Sequence, residues 1–264
     1  VKAANLRGEV ALKEGRVAEA AAAFRSGQDY LRAAELFESI NQHAEAAAAF
    51  EAGESFAAAG SIYVRAGLPE RAAQAYERAG EMETAARLYE QTGNQPRAIA
   101  LYEKAGLTFK GGEAAAHAGD RDRAIALLQR VPPSDEHYGA ATVLLGQLFV
   151  ESGRPALAIE RLGKAIGGAP VSAANLDLHY WLAAAHEKDA PLESMALYKR
   201  IQAESLHFRE VGARLAALEA SMAQSPARRQ GDRRSAAPAP VAAPAAPAPA
   251  AAPARTPAAE PAPA

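Results

Sequence analysis

The sequence contains no cysteine. A disulfide framework and thiolate metal sites are therefore excluded. It has no run of about eighteen apolar residues, so nothing in it reads as a membrane span. Neither sign of charge is in excess: 29 Lys and Arg stand against 31 Asp and Glu, a net charge of -2. A nucleic-acid binder would normally carry a basic surplus, and that class is set aside. Aromatic residues are only 6%, while hydrophobic residues, led by Ala, total 49% of 264 residues. That length fits one large domain or two small ones. The sequence opens on Val1 and its first methionine is Met82, so it is expected to be a piece of a longer chain or a processed product.

Proline is unevenly spread. From Ala236 to Ala264 the chain is Ala and Pro apart from Val241, Arg255, Thr256 and Glu260. Frequent Pro forbids a helix, since it lacks the donor N–H and clashes with the preceding turn. Ala alone cannot bury enough surface to offset ordering entropy. Positions 225–264 are expected to be a disordered, partly polyproline-II tether. The basic stretch before it (Arg228, Arg229, Arg233, Arg234) reads as solvated linker, its four charges being too few for an anionic docking patch.

The rest repeats. Phe24, Phe37, Phe50, Tyr63, Tyr76, Tyr89 and Tyr102 are each 13 residues apart. Their surroundings recur too: Arg71-Ala-Ala-Gln-Ala-Tyr76, Thr84-Ala-Ala-Arg-Leu-Tyr89 and Arg97-Ala-Ile-Ala-Leu-Tyr102, with Ala115 at the aromatic's place in a degenerate unit. Small residues four and three before the aromatic share its helix face. Gly67, Gly80, Gly93, Gly106 and Gly119 each follow four residues after that position, where a left-handed backbone ends a helix. Pro69 and Pro96 fit a first helical turn. Each unit therefore reads as about nine helical residues and four of turn. A helix that short is marginal alone and must stack on its neighbours. Two units then make an antiparallel hairpin, and stacked hairpins make a solenoid.

The period lengthens in the second half. Thr142, Leu145, Gly146, Phe149, Ala158, Leu162, Ala165 and Pro170 fall in the order and spacing of the tetratricopeptide signature, with Gly153 and Pro155 supplying the turn between two helices. This unit resembles a tetratricopeptide repeat. A second copy runs from about Leu176 to Leu206, where Leu182, Ala183, Tyr198 and Ile201 fit, His186 replaces an aromatic, Ser194 replaces Ala, and the inter-helix spacing is one residue short. A last helix, about Phe208 to Met222, reads as a cap. The resulting domain reading is 1–135 short-period repeats, 136–224 longer repeats with the cap, and 225–264 tail. The resemblance implies an all-α, right-handed solenoid of antiparallel hairpins that holds proteins or extended peptides on its concave face. There it places Val143, Gln147, Val150 and Glu151 in one repeat and Asp177, Tyr180, Ala184, Glu187 and Lys188 in the next. Tyr180 reads as the anchor, being rigid with a polar tip, and Trp181 as core. The Lys/Arg pair that clamps a carboxylate terminus in chaperone-binding members is missing, which argues against a chaperone cofactor.

Chemistry is sparse. His179 and His186 share a helix face but are separated by about 10.5 Å of rise, too far for one metal ion; His186 reads as a packed seam residue. Carboxylates alternate with Arg, as in Glu70, Arg71, Glu77 and Arg78, and read as solvated pairs along each helix. Gly163-Lys164-Ala165 lacks the upstream Gly and the Ser or Thr of a phosphate loop. No nucleophile elbow or dinucleotide fingerprint occurs. The chain is expected to be no enzyme and to need no cofactor. The leading expectation is a protein-binding scaffold, part of a larger bacterial protein on the strength of its Ala/Arg-rich, Lys-poor composition. A self-associating cell-envelope component and the sensor arm of a kinase or transcription regulator are the alternatives. Cytoplasm is the default compartment, with the periplasm equally compatible with absent Cys. Oligomeric state is left open.

Overall fold

The structure is a computed structural model, and it describes residues 1–224. The expected tail at 225–264 lies outside the described residues. Fifteen α-helices, and no strands, form among the described residues. The first ten are α1 (Lys2–Lys13), α2 (Val17–Ser26), α3 (Tyr30–Ser39), α4 (His43–Ala52), α5 (Phe56–Arg65), α6 (Pro69–Ala79), α7 (Met82–Gln91), α8 (Gln95–Lys104), α9 (Thr108–His117) and α10 (Arg121–Leu128). After a turn-rich segment come α11 (Tyr138–Glu151), α12 (Pro155–Ile166), α13 (Leu176–His186), α14 (Pro191–Glu204) and α15 (Val211–Gln224). Most short units hold ten helical residues and three of turn rather than nine and four. The last turn closes around the left-handed residue, adding one residue to the helix. The expected final helix starts three residues later, at Val211, because Phe208 lies in the turn before it.

The left-handed position recurs at every thirteenth residue from Gly15 to Gly119, with φ between 58° and 84°. Three of its occupants are not glycine: Gln28, Asn41 and Glu54, at φ of 60°, 59° and 58°. The turn geometry is thus imposed by packing even where the residue resists it, at about 1 kcal/mol per site.

That packing has one recurring contact. A ring or branched side chain on one helix lies against a small residue 16 positions earlier on the helix before. A Cβ added to Gly8 would stand 3.0 Å from the Phe24 ring, one on Gly60 2.9 Å from Tyr76, one on Gly112 2.6 Å from Leu128 and one on Gly146 2.8 Å from Leu162. These pairs are symmetric about Arg16, Leu68, Asp120 and Arg154, the N-cap residues just before α2, α6, α10 and α12. Contacts equidistant from a turn mean antiparallel helices, and the four pairs mark four hairpins. In the units between, Ala holds the small position at Ala21, Ala34, Ala47, Ala73 and Ala86, all fully buried, while Ile99 holds it where Ala115 takes the ring's place. Each buried ring contributes roughly 2 kcal/mol, which no isolated ten-residue helix can supply for itself.

Val1–Leu218 form one compact unit. The period changes after α10, and the stack continues across the change, since α11 packs on α10, α9, α12 and α13. The first of the longer repeats keeps the same 16-residue interval, from Gly146 to Leu162, within longer helices. Proline opens α6, α12 and α14 and lies in the first turn of α8, where its missing N–H costs nothing.

Two glycine substitutions separate the causes. Gly60→Ala drives a methyl into the Tyr76 ring, an overpacking cost of about 1–3 kcal/mol set against up to about 1 kcal/mol of helix propensity. Gly93→Ala meets nothing within 4 Å and loses about 1 kcal/mol through its φ of 80° alone. Urea denaturation is expected to show both losses. Adding Tyr76→Ala should shrink the first loss and leave the second as it was.

Candidate functional site

Polar side chains follow the repeat as closely as the core does. The Tyr63 hydroxyl donates to Glu51 at 3.0 Å, Tyr89 to Glu77 at 3.2 Å and Tyr102 to Glu90 at 2.7 Å, each 12 residues back. Arg78 reaches the same Glu51 at 2.6 Å, and Arg97 the same Glu77 at 3.2 Å. Arg65 pairs with Glu38, Lys110 with Glu83, and Arg123 with Glu103 at 2.6 Å. Every one of these ion pairs joins a helix to the helix two places along. Arginines also cover rings: Arg71 lies 5.8 Å over Tyr63, Arg97 5.3 Å over Tyr89 and Arg32 5.5 Å over Phe24, each eight residues after its ring.

This corrects the sequence expectation for the alternating charges. Glu77 and Arg78 do not pair along their own helix; they reach to α8 and to α4. The carboxylate follows the ring position directly, so it points toward the neighbouring helix's phenol, and at Glu51 and Glu77 a cation from the helix beyond joins it. The signal was present in the sequence. Glu stands 12 before Tyr63, Tyr89 and Tyr102, and Leu12 and Arg25 stand 12 before Phe24 and Phe37, which have no hydroxyl to satisfy; the pattern is broken at Phe50, preceded by Glu38, and at Tyr76, preceded by Val64.

The nine residues assigned to partner contact divide into two sets. On α11, Val143, Gln147, Val150 and Glu151 form one stripe; the first three are half-buried and Glu151 is exposed. Gln147 donates to Glu151 at 2.8 Å. On α13 the picture differs. Tyr180 is only 1% exposed and Ala184 is buried. The segment leading into α15 covers this face: Tyr180 donates to Glu210, Asp177 pairs with Arg209 at 2.6 Å, and Glu187 with Arg214 at 2.8 Å. Arg209 and Arg214 lie 5.1 and 5.4 Å from the Tyr180 ring, and Phe208 meets it edge-on. Glu187 also accepts from Tyr198 at 2.6 Å. That tyrosine is 11 residues later rather than 12, matching the shortened spacing. Tyr180 is therefore a buried packing residue and not an open anchor, because its ring is the surface on which the last helix begins. Lys188 alone of this set is exposed. Trp181 is buried, as expected.

His186 is half-buried, its Nδ1 3.5 Å from Glu193. His179 is buried, and burial pushes its titration below the ordinary range. Among the described residues no group of three or more His, Asp or Glu is placed to hold a metal ion, and no helix is long and apolar enough to cross a membrane.

A stack of antiparallel hairpins in which small residues receive the next helix's ring is a tetratricopeptide-like helical-repeat fold. Solved structures of such proteins resemble this chain. The C-terminal part of a tetratricopeptide repeat-containing protein from Cytophaga hutchinsonii is 17% identical, covering 79% of this chain and 98% of that one, at a TM-score of 0.49. YrrB, described as having an unusual peptide-binding site, is 18% identical over 72% of this chain and 90% of its own, at 0.44. The Cut9–Hcn1 hetero-tetramer of APC/C is 15% identical over 81% of this chain, at 0.42, and this chain spans 45% of its length. At these identities the likeness concerns the fold alone. No protein-family model and no curated protein matches the chain.

The buried phenols make the ladder visible to titration. Desolvation raises Tyr63, Tyr76, Tyr89, Tyr102 and Tyr198 above the ordinary phenol range, and takes Tyr180 up to about 12. A raised folded-state value adds stability that is complete below the unfolded value near 10 and is lost as pH climbs through the folded one. Ultraviolet titration of the native protein is expected to leave most tyrosine absorbance change above pH ~10, with unfolding in that window. The urea-unfolded chain should titrate fully near pH ~10.

Proposed function

We propose that this chain is a non-catalytic scaffold that holds a partner protein or extended peptide on its concave face, against α11, the first helix of the first longer hairpin, within a larger bacterial protein. The observation that carries this reading is the contrast between two equivalent stripes. On α13 the stripe is occupied by Phe208–Arg214 of the same chain. On α11 the matching stripe keeps Val143, Gln147 and Val150 partly open beside an exposed Glu151. Alternating apolar and hydrogen-bonding groups on one rigid helix suit a peptide whose backbone and side chains are both read. Rigidity matters because an ordered surface loses little entropy on binding. The Ala/Arg-rich composition supports the bacterial setting, and the reading takes the cytoplasm as the compartment.

The test is affinity capture on the immobilised full chain from lysate of the source cells, followed by titration of the captured partner. Val150→Glu combined with Gln147→Ala is expected to weaken that partner at least ~10-fold, about 1.4 kcal/mol. Leu157→Ser, at an exposed position on α12, should leave it unchanged. Equal capture by both variants would remove α11 from the reading.

A further inference from the structure

The second helices of the hairpins share a surface feature that packing does not require. Two residues after the ring position stand Arg78 on α6, Lys104 on α8, Arg130 just past α10, Lys164 on α12 and Arg200 on α14. All five are exposed. The register follows from the packed rings: Tyr76 lies against Gly60, Leu128 against Gly112 and Leu162 against Gly146. Tyr102 continues the 13-residue series, and Tyr198 follows Ser194 as Leu162 follows Ala158. One turn before three of these cations, on the same face, are exposed Ala100, Ala126 and Ala196. Helix electrostatics accounts for part of the row. Arg78, Lys104 and Lys164 lie in the last turn of their helices, where a cation meets the negative end of the helix dipole. The first helices have the same ends, yet their register is mixed: Lys13, Ser39, Arg65, Gln91, His117 and Glu151. Pairing does not use the row up either. Arg78 pairs with Glu51 and Lys164 with Glu160, but Lys104, Arg130 and Arg200 make no ion pair among the described residues. Between α6 and α8 the row dips into a groove of about 410 Å³ bordered by Gln74, Glu77, Arg78, Arg97 and Lys104. Its carboxylate, Glu77, is already engaged by Tyr89 and Arg97, so the charge left open there is positive.

We propose that this row is a second docking surface, carried by the second helices rather than the first, and that its occupant is an acidic, extended protein segment. It does not depend on the reading for α11. Charge complementarity identifies the occupant. Lys104, Arg130 and Arg200 recur at the repeat spacing with no carboxylate of their own, and an incoming acid meets one of them on α8, α10 and α14 in turn. The alanines beside them leave room for an extended backbone to lie close to the helices. Nucleic acid fits this surface less well. The row has no aromatic side chain on which a base could stack, and alanine has no group that reads a base edge. One sign of charge collected along one side of a chain whose net charge is -2 also gives an acidic partner a preferred direction of approach.

Fluorescence anisotropy tests this. The full chain is titrated into a labelled poly-glutamate peptide of about 20 residues, long enough to cross several hairpins when extended. Binding is expected at about 20 mM salt and should weaken at least ~10-fold by about 200 mM, since the contacts are exposed. Lys104→Glu, Arg130→Glu and Arg200→Glu together should weaken it at least ~10-fold at low salt, with circular dichroism unchanged. The milder Lys104→Gln, Arg130→Gln, Arg200→Gln variant should move the same way and guards against a reversal that disturbs folding. Lys13→Glu, Arg87→Glu and Lys188→Glu, at exposed positions on α1, α7 and the turn after α13, change the net charge as much as the first triple and should leave binding within about 2-fold. No binding at low salt overturns the proposal. So does equal weakening by both glutamate triples, the mark of bulk charge, or tighter binding of a short DNA duplex than of the peptide at equal salt.

Discussion

The contact between a ring and a small residue 16 positions earlier governs everything else in this structure. It needs a helix short enough to end where the ring sits near its C-terminal turn, and a turn tight enough to return the chain within three residues. It also needs a neighbour whose surface has been hollowed by Gly or Ala. The 13-residue period is the sequence length that satisfies all three. The same contact sets the left-handed turn residue so firmly that Gln28, Asn41 and Glu54 accept it. No helix here is stable by itself, so stability is shared between neighbours, as in other quasi-one-dimensional proteins.

Charge has a secondary part. Exposed ion pairs contribute little individually, and most of those joining alternate helices are half-exposed. Their regularity matters more than their energy. A carboxylate satisfied by a phenol from the next helix and a cation from the one beyond fixes rotation and register along three successive helices. It also accounts for a chain rich in both signs carrying almost no net charge.

The longer repeats at the C-terminal end keep the rule and change its use. Their ring at Tyr180 receives a returning segment, and the acids that would line a groove on α13 are engaged by Arg209 and Arg214 of the same chain. Of the residues assigned to partner contact, this leaves Val143, Gln147, Val150 and Glu151 on α11 as the stripe on which the proposed binding function rests.

Much of the fold was readable in advance because it is periodic. A ring every 13 residues, small residues four and three before it and Gly four after it are local patterns, and short-range sterics translate them directly into helix, face and turn. The eight signature positions from Thr142 to Pro170 did the same for the longer unit. Tertiary structure alone decided what depends on distant chain segments meeting. Glu77 could be seen to sit beside Arg78 in sequence, but only the stack determines that each reaches a different helix. Tyr180 could be placed on the exposed side of α13, but only the returning chain 30 residues later determines that its hydroxyl meets Glu210 and that its ring is covered. The physical reason is that periodic packing is written into every unit, whereas the covering of an end or a groove is written nowhere in the unit that is covered.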